Sequence, residues 1–122
     1  MKRALILFAH GARDPLWSEP LLRLQQLLVS QVAPEVMVEL AFLELMTPTL
    51  PELIPQLIQQ QVQAVTVVPI FLGQGGHVRR DLPALMTALQ LDYPQVAFTL
   101  AAAIGESDVV IKAIADVCLS QL

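Results

Sequence analysis

Val65–Asp81, VTVVPIFLGQGGHVRRD, changes character halfway along. Its first eight residues are apolar apart from Thr66 and rich in β-branched side chains, the pattern of a strand buried on both faces of a parallel sheet. A glycine-rich turn, Gly73–Gly76, then delivers the chain onto His77, Arg79 and Arg80. Ala4–Asp14, ALILFAHGARD, repeats the arrangement in shorter form, ending its apolar run on His10 and following it with Gly11 and Arg13. These two histidines are the only ones among 122 residues.

Working outward from these stretches, strands and helices alternate. Arg3–Ala9 reads as the first strand, and Asp14-Pro15 as a helix start with proline at a position where its missing N–H is harmless. Apolar residues at Trp17, Leu21, Leu24, Leu28 and Val32 continue that helix at the 3.6 period to about Val32. Val36–Leu43 gives a second strand ending near Glu44. Thr49-Leu50-Pro51-Glu52 matches a capping box, and Leu53, Leu57, Ile58 and Val62 form the inward stripe behind it. Pro55 predicts a kink or a later start there. Ala64–Leu72 is the third strand, and a helix from about Asp81 to Leu91 turns Leu82, Leu85, Met86 and Leu89 inward, with Pro83 early in it. Gln95–Ala101 is the fourth strand. Ser107 caps a last helix whose inward face is Val110, Ile114, Val117 and Cys118. The βαβαβαβα order predicts one α/β domain over residues 1–122, with a four-stranded parallel sheet in the order 2-1-3-4 and helices on both faces.

Composition narrows the class. The chain is 55% hydrophobic and 15% charged, against the usual roughly 45–50% and 25%. A doubly covered sheet absorbs part of that excess, and an apolar surface that pairs subunits absorbs the rest. No run approaches the roughly 18–20 apolar residues of a membrane span. Lys2-Arg3 before a six-residue apolar run imitates a signal peptide, but the run is shorter than the usual minimum of about seven. A single cysteine, Cys118, reads as a core residue and fits a reducing cytoplasm. A net charge of −4 argues against a nucleic-acid binder.

In open parallel sheets ligands bind beyond the carboxyl ends of the strands, where strand order reverses. In the order 2-1-3-4 that point lies between strands 1 and 3, which end on His10 and His77. Either histidine alone reads as a loop residue bonded to backbone. Two at one rim, each beside glycine and arginine, make a candidate site for one divalent metal, with Glu44 as the nearest carboxylate. The GQGG spacing fits neither a dinucleotide fingerprint nor a P-loop. Gly73, Gly75 and Gly76 instead let the backbone approach a large flat ligand or take positive φ. Arg13, Arg79 and Arg80 can each pair with carboxylates through two parallel hydrogen bonds, or are ordinary surface arginines.

The blocks LILFAHGARD, AFLELMTPTL, VVPIFLGQGGHVRRDLP and AIGESDVVIKAIAD together resemble the short CbiX-like sirohydrochlorin chelatases of the class II chelatase superfamily. Phe71–Pro83 is the most specific part, while Ala12 stands where the family's opening block usually has serine. The resemblance implies a lyase that inserts a divalent metal, Co²⁺ foremost, into sirohydrochlorin, a tetrapyrrole with eight carboxylates, on the route to cobalamin. Fe²⁺ for siroheme and Ni²⁺ stay open, as does a non-catalytic tetrapyrrole or metal carrier. It implies His10 and His77 as metal-handling residues. Alongside them, Glu44 is expected to assist catalysis, and Arg13, Gly75, Gly76, Arg79 and Arg80 to bind substrate. No permanent cofactor is implied, because the metal is itself a substrate; a cytoplasmic homodimer without membrane or nucleic-acid partners is. A histidine phosphoryl-transfer enzyme, the other reading of His10-Gly11, lacks an arginine before the histidine.

Overall fold

In the computed structural model, which describes residues 1–122, the apolar run Arg3–Ala9 forms β1 at the interior of a parallel sheet. Val36–Phe42 (β2) flanks it on one side and Ala64–Pro69 (β3) on the other, with Ala97–Leu100 (β4) beyond β3. The order is therefore β2-β1-β3-β4, as the alternation of elements predicts. Ile6, Phe8, Val65 and Val67 lie on one face of the sheet, at 2% exposure or less. There they meet Leu50–Gln59 (α2) and Gly76–Asp92 (α3) through Leu53, Ile54, Leu57, Leu82, Met86 and Leu89. Glu19–Val29 (α1) covers the β2 side of the other face, where Leu21 packs with Ala9 and Phe42.

Several boundaries depart from the sequence expectation for identifiable reasons. Asp14 caps as expected, its carboxylate accepting from the Leu16 N–H at 2.9 Å, but it starts a 3-10 turn over Pro15–Ser18. Pro20 has no N–H and would clash with the carbonyl four residues back, so α1 restarts with Pro20 in its first turn. The capping box at Thr49 forms in both directions, so α2 starts at Leu50 rather than later. It is unbroken through Pro55, whose ring lies on the exposed face. β3 ends at Pro69 instead of Leu72. The apolar tail past it serves packing, since Phe71 meets Phe8 edge to face at 5.9 Å.

Two corrections matter for function. α3 begins at Gly76 instead of Asp81, which puts His77, Arg79 and Arg80 on its first two turns and Pro83 in its interior. Asp108–Leu119 (α4) follows a second 3-10 turn, Ile104–Glu106, and buries no residue at all. Val110, Ile114, Val117 and Cys118 therefore do not join the core, and Cys118 is exposed. No helix is long and apolar enough to cross a membrane.

Candidate functional site

Beyond the carboxyl ends of β1 and β3 lies a cleft of about 380 Å³, lined by His10, Leu43, Glu44, Phe71, Gly73, Gln74, Gly75, His77 and Val78. Its size is at the low end of the roughly 300–1,000 Å³ typical of small-ligand sites. The sheet's ladder builds its rim. Past the last strand residues, Ile70 N–H donates to the Phe8 carbonyl at 2.7 Å, Leu43 N–H to Ala9 at 2.9 Å, and Glu44 N–H to His10 at 3.1 Å. The last of these pins the Glu44 backbone beside His10.

Gly11 makes that approach possible. Its φ is +95°, and a Cβ there would collide with the Glu44 carbonyl oxygen. Gly105 plays a similar part, because a Cβ would strike the Leu72 carbonyl, and its N–H donates to the Phe71 carbonyl at 2.8 Å. The glycines of GQGG behave differently from the expectation of positive φ, which among glycines only Gly11 shows. A Cβ at Gly73, Gly75 or Gly76 would meet nothing within 4 Å, so these positions leave open space instead of relieving strain.

The two histidines share one feature. His10 Nε2 lies 3.1 Å from Glu44 Oε1, and His77 Nε2 lies 2.8 Å from Asp81 Oδ2. Their side chains are 52% and 81% exposed, so both remain open to a ligand. When Nε2 carries the proton given to the carboxylate, Nδ1 keeps its lone pair for a metal or a proton. No three ligating side chains converge into a metal cage. Two carboxyls have shifted pKa values: burial pushes that of Glu39 up, and hydrogen bonds from Thr49 hold that of Glu52 down. Both lie outside the cleft.

The arginines are spread out. Arg79 donates through Nη2 to the Gln74 carbonyl at 3.0 Å, bracing the glycine loop. Arg13 and Arg80 are exposed, and none of the three is in an ion pair. Gly75 is the N-cap of α3 and supplies no side-chain cap, so the helix's first N–H groups are left for a ligand or water. Gly76, Arg13, Arg79 and Arg80 do not line the cleft itself. Sequence reasoning missed Asp81 as the partner of His77, and the apolar wall of Leu43, Phe71 and Val78. The i,i+4 spacing of His77 and Asp81 carries that signal once the helix is started at Gly76.

Comparison with known proteins adds the following. The CbiX family model matches residues 4–120. The chain is 33% identical to the sirohydrochlorin cobaltochelatase of Methanocaldococcus jannaschii over 87 residues, covering 71% of this chain and 60% of that protein. It is 29% identical to the sirohydrochlorin cobaltochelatase of Methanococcus aeolicus over 96 residues, covering 73% and 62%. The matched region thus spans only about 60% of the length of these curated relatives. Among solved structures, a CbiX protein from Marinobacter aquaeolei VT8 superposes with a TM-score of 0.84 at 33% identity, covering 98% of this chain and 96% of that one. The sirohydrochlorin chelatase SirB from Bacillus subtilis subspecies spizizenii, in complex with cobalt, gives 0.78 at 26% identity, covering 95% of this chain and 49% of that one.

Proposed function

Because the chain belongs to the CbiX family, whose model spans residues 4–120, we propose that it inserts a divalent metal, Co²⁺ foremost, into sirohydrochlorin in cobalamin biosynthesis, acting as a cytoplasmic homodimer. One observation carries the chemistry: adjacent strands bring His10 and His77 to one cleft, each with a carboxylate at hydrogen-bond distance. Insertion exchanges two pyrrole N–H bonds for bonds from nitrogen to metal, so two protons must leave as the ion sheds its water. An imidazole whose far nitrogen is held by a carboxylate suits both tasks, as a metal ligand and as a general base. His10 and His77 take these roles, with Glu44 orienting His10 and drawing off its proton. The lack of a three-ligand cage suits an ion that must be handed on.

The macrocycle, larger than the cleft, extends past it. Its carboxylates are received by the uncapped start of α3 at Gly75 and Gly76, and by Arg13, Arg79 and Arg80. The relatives named sirohydrochlorin cobaltochelatase favour Co²⁺.

The test is anaerobic incubation of the protein with sirohydrochlorin and, separately, Co²⁺, Fe²⁺ or Ni²⁺, followed by tetrapyrrole absorbance against a protein-free control. Cobalt is expected to react fastest, and His10→Ala to slow it by about 10²-fold or more. A faster reaction with iron or nickel reassigns the metal. Tight binding without acceleration makes the protein a carrier, and an unchanged rate in His10→Ala removes the histidine from the mechanism.

A further inference from the structure

A second cleft, of about 280 Å³, opens past the carboxyl ends of β3 and β4, one strand over from the first. Ala101–Ala103, Leu82 and Leu100 give it a largely apolar lining. Neighbouring strands lie about 4.8 Å apart, so the two clefts are close, and Gln74 of the glycine loop lines both. The first turns of α3 divide them. His77 and Val78 line the histidine cleft, whereas Arg79, Leu82 and Pro83, spaced i, i+3 and i+4 along one helix face, line the second.

Arg79 is the only cation on this lining, and Arg80 lies on neither cleft. Its Nη2 donates to the Gln74 carbonyl at 3.0 Å, and no carboxylate pairs with it. A guanidinium carries five N–H donors in a fixed fork, so one can hold the loop while the others stay free. The one acid on the lining, Glu106, accepts from the Ala103 N–H through Oε2 at 3.1 Å, and its charge keeps an anion to the Arg79 side. A free fork beside short apolar walls selects a carboxylate on a short alkyl chain. The walls take the methylenes, and the fork takes the two oxygens in parallel bonds.

We propose that this second cleft seats one carboxyalkyl arm of the macrocycle while the ring nitrogens face His10 and His77, and that Arg79 is the counter-ion of that arm. The inference rests on the function proposed above and adds which arginine receives a carboxylate, and where. With one donor on the Gln74 carbonyl and the rest of its fork on the arm, Arg79 ties the arm to the loop that lines the histidine cleft. A seated arm thereby sets the register of the macrocycle over the two imidazoles.

Equilibrium binding of metal-free sirohydrochlorin to the full chain, read by absorbance, separates the arm site from the chemistry, with Co²⁺ insertion rates measured alongside. Arg79→Gln is expected to weaken binding about tenfold or more, the loss of a charge-assisted pair. Arg80→Gln, the same charge change outside the cleft, should weaken it about threefold or less. Ala102→Leu, at an exposed position, fills the cleft and leaves the charge and the Gln74 bond in place; it should weaken binding as Arg79→Gln does. The methyl-esterified macrocycle, which has no arm charge, should bind wild type and Arg79→Gln alike.

Equal weakening by Arg79→Gln and Arg80→Gln, or full affinity in Ala102→Leu, overturns the arm site and leaves the proposed function standing. Wild-type protein that neither binds the tetrapyrrole nor metallates it overturns both. Binding without metallation, with the Arg79 and Ala102 losses intact, keeps the arm site and removes only the chelatase reading. The two variants alter different elements, so if one fails to fold by circular dichroism the other decides.

Discussion

Gly11 leaves no room for a side chain. Its left-handed φ and the Glu44 carbonyl against its open side penalise any larger residue twice. Gly11→Ala is expected to cost about 2 kcal/mol or more and to loosen the pairing of His10 with Glu44, measured as a lower urea midpoint. Glu39 behaves in the opposite sense. Burial raises its carboxyl pKa, so ionisation works against the fold: its contribution is most favourable below the ordinary carboxylate range and is lost as pH rises through the raised value. Glu39→Gln should therefore raise stability at pH 7 and give no such gain at pH 3, as urea titrations at the two pH values will show. Asp81→Asn addresses the other histidine. Lower kcat with unchanged helix content is expected, because Asp81 holds the imidazole and is itself exposed. The convergence of His10, His77 and Glu44 on one cleft was legible in the sequence, since His10 and Glu44 directly follow apolar runs and His77 follows the glycine turn that ends one. Asp81 was not, because its partnership depends on where a helix begins.

That dependence belongs to the elements. The strands and the capped start of α2 were readable because apolar runs and a capping box leave few alternatives, whereas Pro55 pointed to a kink or later start that the helix does not have. Thr49→Ala should cost about 1 kcal/mol by removing the cap on α2. Glu52, held below the ordinary carboxylate range by Thr49, stabilises above that range and loses its effect as pH falls through the lowered value. Glu52→Gln should accordingly flatten the acid limb of a stability profile. The start of α3 was hidden because Gly75-Gly76 has the composition of a turn, although an N-cap followed by glycine opens a helix of 17 residues here. The placement of α4 could not be read either: an apolar face requires a covering surface but does not say which chain provides it.

Over the whole molecule, assembly and chemistry should separate under dilution and salt. If the chain works as a homodimer, the melting temperature rises with protein concentration, which scanning calorimetry at two concentrations will show. Raising ionic strength from about 0.05 to 0.5 M should weaken substrate capture by the exposed arginines, raising KM more than it lowers kcat. These two axes meet at one backbone contact. Gly105 sits with no spare room against Leu72, and its N–H holds the Phe71 carbonyl. The turn that launches α4 is thus bolted to the strip of chain that walls the cleft. A tug on α4 reaches the Phe71 side of the pocket through peptide groups alone, so whatever seats the helix also steadies that wall of the cleft.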